Sequence, residues 1–283
     1  MKLKFIFILF SITLLLFMAI LVIMPFFFLG PALSVSFWRI NWPFIAVLAL
    51  IFIAFNLFYF INRRLFMLLE NEDWPALARF LEEKVIQKGR YSPRLVRLLA
   101  NSYLVLSDSA AVMSLENKVA ISKPALIDAN VLVFGTARIL GKDIPGALRF
   151  FGARKDTVKS GLKEWVCWYH GFALLLNFQF EEAADEFSAL ARLSKDAVLS
   201  ALSAYFLAET LSSFLPAKKH ELGEVSGLGR DRVLKSLPRF KDWSREISRL
   251  STEIHVAALS KYIEETGRWL YPTEFFPPGA FPR

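Results

Sequence analysis

No Asp or Glu occurs before Glu70 in this chain of 283 residues. Carboxylates are costly in hydrocarbon, so a long stretch without them is what a bilayer requires of a polypeptide. Cysteine occurs once, at Cys167, which excludes an intrachain disulfide framework. His170, His220 and His255 are the three histidines, and HExxH, paired cysteines, a nucleophile elbow and a Walker loop are all absent. Little is left from which to assemble a metal centre or a hydrolytic site. The expectation is a protein that is not an enzyme and holds no metal or cofactor.

What replaces the missing acids is apolar. Half of the 28 Phe residues lie before Asn71. The run 5–29 carries no charge and is long enough to cross roughly 30 Å of hydrocarbon as a helix, and the run 43–61 is just long enough. Between them GPALSVSFWRINW carries Trp38 and Trp42, side chains suited to the headgroup level. The pair reads as a helical hairpin within a membrane anchor of residues 1–66. A cleaved signal peptide is the rival reading of the first run, but that run exceeds the roughly 7–15 residues of a signal core. Lys2 and Lys4 precede the hairpin and Arg63 and Arg64 follow it, with Arg39 alone in the loop. Basic flanks stay inside, so two spans with both termini cytoplasmic are expected, in a bacterial inner membrane.

The formal charge of +8 invites a nucleic-acid reading until it is apportioned. Five of the 34 basic residues belong to the anchor, leaving 29 against 26 acids, an ordinary balance. A nucleic-acid surface needs a dense basic face with interleaved aromatics. None is visible, so the expected partners are proteins and the lipid bilayer, not nucleic acid.

After the anchor the chain repeats. A small residue followed four positions later by a large apolar one recurs as Ala76 and Phe80, Ala111 and Leu115, Ala147 and Phe151, and Ala183 and Phe187. The steps are 35, 36 and 36 residues. Ala100, Gly135 and Gly171 run in phase, 11 or 12 residues ahead of each Ala. Small residues let paired helices approach closely. The pattern resembles the tetratricopeptide repeat, and its best copy is CWYHGFALLLNFQFEEAADEF, where Gly171, Phe180, Ala183 and Phe187 take the small, aromatic, small and aromatic positions. The copy lacks the Trp and Pro of that pattern, with Leu174 standing at an aromatic position. The resemblance implies an all-α fold in which a transmembrane hairpin precedes an α-solenoid over 67–215. Asp73 is the expected N-cap of the helix carrying Ala76, with the end of the second span as its partner.

The resemblance also implies a concave, protein-binding face lined by first helices. Its residues are Arg94, Arg97 and Asn101; Leu132, Thr136 and Ile139; and Trp165, Trp168 and Phe172. In the same register Cys167 points inward as an inert thiol, so the spacing of Cys167 and His170 is expected to be scaffolding, not a thiolate–imidazole pair.

Gly223, Gly227 and Gly229 mark 216–229 as a flexible linker, since the Lys-Ser/Thr of a phosphate loop is lacking. The segment 230–271 carries an apolar seam, Phe240, Trp243, Ile247, Leu250 and Ile254, at steps of three and four. It is read as a helix capping the solenoid, with a homo-oligomer seam as the alternative. The tail 272–283 is rich in Pro and Phe and is expected to be extended. A face bearing three aromatics needs cover, either from a partner or from this C-terminal segment. The functional expectation is a membrane-anchored scaffold or adaptor mediating protein–protein interactions at the cytoplasmic face. The alternative is a structural subunit of a flagellar, secretion or cell-wall assembly, and a membrane enzyme has least support.

Overall fold

The structure is a computed structural model that describes residues 2–272. The expected extended tail lies outside the described residues from 273 onward. The described chain is helical, with no strand, and divides into two units, Met1–Phe80 and the part from Leu81 onward.

The first unit contains α1 (Lys4–Pro31) and α2 (Leu33–Glu70), both long and apolar enough to cross a membrane. The chain reverses at Gly30, whose φ of 74° and ψ of 167° suit only glycine. Phe7 stacks on Tyr59 and Phe55 with centroids 3.6 and 5.4 Å away, and Trp38 Nε1 donates to the Val22 carbonyl at 3.0 Å. These contacts pair the ends of the unit as an antiparallel hairpin. The loop expected over 30–42 is confined to the Gly30–Pro31 corner, and helix resumes at Leu33. A helix satisfies its own backbone groups, so extending it through this stretch keeps them paired wherever it meets hydrocarbon. The one irregularity beyond the corner is Asn41 (φ −98°, ψ 15°), two residues ahead of Pro43, whose ring cannot continue an undisturbed helix. Past the expected span, α2 runs on to Glu70, and the Arg64 guanidinium lies 5.1 Å from the centre of the Phe80 ring.

Helix α3 (Trp74–Glu82) starts at Asp73, whose Oδ1 accepts from the Ala76 N–H at 3.1 Å. There follow α4 (Pro93–Val105), α5 (Ser109–Ser122), the short α6 (Ala125–Ala129), α7 (Val131–Leu140), α8 (Ile144–Gly152), α9 (Ser160–Leu176) and α10 (Phe180–Leu193). Then come α11 (Ala197–Tyr205, prolonged by a wider turn to Phe214), α12 (Lys219–Ser236), α13 (Phe240–Leu250), α14 (Ile254–Ala257) and α15 (Ser260–Leu270). Among these, α4 packs on α5, α7 on α8, α9 on α10 and α11 on α12, while α4, α7, α9 and α11 also lie side by side in that order.

One turn recurs at the repeat spacing. Glu72, Ser107, Lys142 and Phe178 have φ of 52, 59, 62 and 62°. In each case this residue donates to the carbonyl three back, and its successor (Asp73, Asp108, Asp143, Gln179) donates to the carbonyl five back at 2.9–3.1 Å. This is the double closure of a helix ending in a left-handed residue. Asp108 and Asp143 then cap α5 and α8 through the N–H groups of Ala111 and Gly146. A single hinge is thus used four times among the described residues.

The small positions do what their size permits. A Cβ on Gly135 would sit inside the Phe151 ring, and one on Gly171 would press on Phe187 and Glu186. Phe151 and Phe187 are fully buried, each stabilising by roughly 1.5–3 kcal/mol relative to exposure.

Residues 216–229 are not a linker. Helix α12 runs through them and packs on α10 and α11. Its Leu222, Val225, Ser226, Gly229 and Val233 are buried, and a Cβ on Gly229 would lie 3.1 Å from the Ala204 Cβ. Gly229 is a point of close helix approach, while Gly223 and Gly227 meet open space. Nor is 230–271 one helix, because Glu253 is extended (φ −89°, ψ 121°) and splits the seam between α13 and α14.

Gly135→Ala should lower stability by roughly 1–3 kcal/mol, the usual result of forcing a methyl into a filled site. Gly135→Ala with Phe151→Leu should recover part of the loss, so denaturant unfolding of the single and double variants in detergent should be non-additive. Additive losses would show that the two residues do not share this space.

Candidate functional site

The residues expected to line one binding face fall into two halves. On α4, Arg94 and Arg97 are exposed, with no ion pair or hydrogen bond among the described residues, and Asn101 is half-buried with its Oδ1 unpartnered. On α7, Leu132 and Thr136 are buried and Ile139 is half-buried. On α9, Trp165, Trp168 and Phe172 are all buried.

Trp168 departs from expectation outright. It is 0% exposed and lies among Tyr169, Phe172, Phe187 and Phe206, with ring centroids 5.3–5.9 Å away. It belongs to the core between α9, α10 and α11, where a large apolar ring gains by burial against Phe187 and Phe206.

Trp165 and Phe172 do face outward from α9, and the C-terminal segment covers them. Trp165 meets the His255 ring edge-on at 4.8 Å, and Phe172 and Phe206 meet Tyr262 at 5.5 and 5.2 Å. Tyr169 donates its hydroxyl to the His255 carbonyl at 2.7 Å across 86 residues of chain. Helix α14 packs on α7 and α15 on α11. Arg230 donates to the Leu270 carbonyl at 3.3 Å and lies 5.3 Å from the centre of the Trp269 ring. Of the seam residues, Trp243 and Ile247 are buried, while Phe240, Leu250 and Ile254 are half-buried. Trp243 and Ile247 are therefore enclosed within one copy of the chain, and the other three seam residues keep part of their surface open.

The cover leaves a cavity of about 200 Å³ where it crosses from α9 towards α4. Its lining includes Arg97, Asn130, Leu132, Trp165, Glu253 and His255. Asn130 Oδ1 and His255 Nδ1 are buried without partners. Burial lowers the His255 pKa to about 4, so the ring is neutral near pH 7, and burial pushes the Tyr169 phenol above its ordinary range. A cavity with one cation, one anion and unpartnered polar atoms offers positions for a polar group.

Cys167 and His170 make no hydrogen bond to each other among the described residues. His170 Nδ1 and Lys155 Nζ instead meet Glu186 Oε1 at 2.9 and 2.8 Å. Burial alone would raise the Glu186 carboxyl, but the hydrogen bonds from His170 and Lys155 outweigh it and hold the group low. Cys167 is half-buried, and burial raises its thiol. A raised pKa suppresses the thiolate on which Cys chemistry depends, so the cluster reads as a tie between α9, α10 and the loop after α8. Among the described residues no group of three or more His, Cys, Asp or Glu side chains is placed to hold a metal.

The family described as "Uncharacterised Treponema protein" matches residues 111–272, more than half of the chain, and the chain belongs to that family. A relative from Treponema pallidum (strain Nichols), described as "Uncharacterized protein", is 30% identical over 237 residues, covering 81% of this chain and 75% of its own length. No solved structure matches the chain. The matched stretch runs from the start of α5 to the end of α15, so the cover falls inside the shared region.

His255 links the cover to pH. Its pKa is about 4 folded against 6.5 when unperturbed, so between those values the unfolded chain binds a proton that the folded chain does not. Stability present above pH 6.5 should decline as pH falls towards 4, by up to about 1.4 kcal/mol per pH unit. Protease resistance of residues 240–271 between pH 7 and 4 should show this decline, and His255→Phe should flatten it. An unchanged decline in that variant would assign the effect elsewhere.

Proposed function

We propose that this chain is a membrane-anchored scaffold. Two spans hold a tetratricopeptide-like solenoid at the cytoplasmic face of a bacterial inner membrane, where it gathers partner proteins. The anchor reading is supported by α1 and α2, each apolar over membrane-spanning length, with basic residues flanking the pair. The repeat reading is supported by the turn at Glu72, Ser107, Lys142 and Phe178, whose spacing of 35, 35 and 36 residues matches the spacing of the small packing positions.

The observation that carries the adaptor reading is the uneven closure of the first-helix face. Its aromatic half lies under the chain's own C-terminal segment, while Arg94 and Arg97 on α4 remain exposed, Arg97 at the cavity, with Asn101 half-buried beside them. Two unpaired guanidiniums on a face otherwise closed form a surface for an acidic or carboxylate-bearing protein segment. Confinement to the membrane raises the effective concentration of such a partner without any new contact.

Site-specific photo-cross-linking in native membranes tests the reading. A photoreactive residue placed at 94 or 101 should give discrete heavier adducts that disappear with Arg97→Glu. The same probe at 118, on the outer helix α5, should give none. Identical adducts from all three positions, or none from any, would overturn the assignment of this face.

A further inference from the structure

The helical unit has two edges of different chemistry. Helices that pack in sequence and are joined by short loops run antiparallel, so the loops joining one pair to the next lie together at one edge, opposite the turns within pairs. Contacts between the pair-joining loops show this directly. Lys123 Nζ donates to the Tyr91 carbonyl at 3.2 Å, and Arg154 pairs with Asp128 at 3.4 Å. The Ser194 hydroxyl donates to Glu164 at 2.6 Å, and Arg232 donates to the Ser194 carbonyl at 3.0 Å.

At this edge carboxylates are engaged and cations are free. Asp128 pairs with Arg154, Asp156 with Lys163, and Asp196 accepts from the N–H groups of Val198 and Leu199 as the cap of α11. Arg90, Lys159, Arg192, Lys195 and Lys235 make no ion pair or side-chain hydrogen bond among the described residues. Two large aliphatic side chains stand among them in the last turns of their helices. Ile121 is 86% exposed, two residues from Lys123, and Leu193 is 78% exposed between Arg192 and Ser194.

The opposite edge separates the effects. It too exposes apolar groups, Phe178 at 79% and Leu140 at 51%, but beside charges of both signs, Asp108, Asp143, Glu181 and Glu182 with Lys142, Lys218 and Lys219. Apolar exposure alone therefore does not distinguish the edges. The balance of charge does, with several free cations beside engaged carboxylates at one edge and acids and bases intermixed at the other.

We propose that the pair-joining edge of the helical unit docks on anionic phospholipid headgroups, with its free Arg and Lys side chains on phosphate and Ile121 and Leu193 dipping into the interface. A basic surface near an anionic leaflet gains with each added Lys or Arg, and an aliphatic side chain beside cations is the arrangement of peripheral membrane contacts. A membrane span in the same chain raises the effective concentration of lipid around the helical unit, so individually weak contacts suffice. The inference rests on reading α1 and α2 as spans.

The test uses the full chain with Cys167→Ala, reconstituted in nanodiscs of phosphatidylcholine alone or with phosphatidylglycerol. Spin labels at 121, 193 and 178 report accessibility to oxygen and to a water-soluble nickel complex. In anionic discs, labels at 121 and 193 should gain oxygen and lose nickel accessibility, while 178 stays aqueous. Arg192→Glu with Lys195→Glu should lower the ratio of docked to undocked unit about ten-fold or more. Water-exposed labels at 121 and 193 in both lipids, or the same change at 178, would overturn the proposal. Failure of the spans is a separate result, seen as protein that does not co-purify with the discs.

Discussion

A ring seated over a glycine sets the spacing of the helical unit. Phe151 occupies the space that a side chain on Gly135 would fill, and Phe187 presses on the Gly171 position in the same way. With no Cβ on one helix and a full aromatic on the other, each pair closes to one distance, and the next pair inherits its register. The left-handed turn at Ser107, Lys142 and Phe178 then reverses the chain at the same point each time. Because both devices recur every 35 or 36 residues, the loops fall into two edges and the charges of those edges sort separately.

The same stacking creates the aromatic face that the C-terminal segment closes. Between Trp165 and Tyr262 the joint holds many ring contacts and few polar ones, with the Tyr169 hydroxyl on the His255 carbonyl as its fully buried hydrogen bond. Trp168 Nε1 and Trp243 Nε1 remain unpartnered in the interior. An unsatisfied buried donor costs roughly 1–3 kcal/mol, about what burial of one such ring returns. The closure is therefore held by the sum of its rings, which explains why it tolerates the orphan donor of Trp243 and why a protonated His255 would oppose it.

Much of this order was legible in the residues. The anchor was visible as absent charge, and the packing positions were visible as small and large residues at a constant step. The turn was less so, since Ser107, Lys142 and Phe178 share a backbone conformation and no chemistry, although the Asp following two of them carried a signal. The misreading of 216–229 came from weighting three glycines over the stripe Leu222, Val225, Gly229 and Val233, which keeps helical spacing through them. Gly229 looks flexible in a sequence and proves to be where Ala204 comes close. Trp168 was assigned to the face by register, yet on the regular helix α9 it packs against Phe187 and Phe206 in the core.

The limits of the family match bear on where function is to be sought. A stretch running from Ala111 to Pro272 takes in the core pairs and the cover together, so the covered aromatic face belongs to the shared fold as much as the helices beneath it. A surface closed by the chain itself cannot also be the surface offered to others unless the cover moves, and its ring contacts oppose that. Helix α4, whose Arg94 and Arg97 are exposed, precedes the matched stretch. The cover thus does more than cap the stack, because it buries the apolar half of the first-helix face and leaves the charged half exposed to solvent.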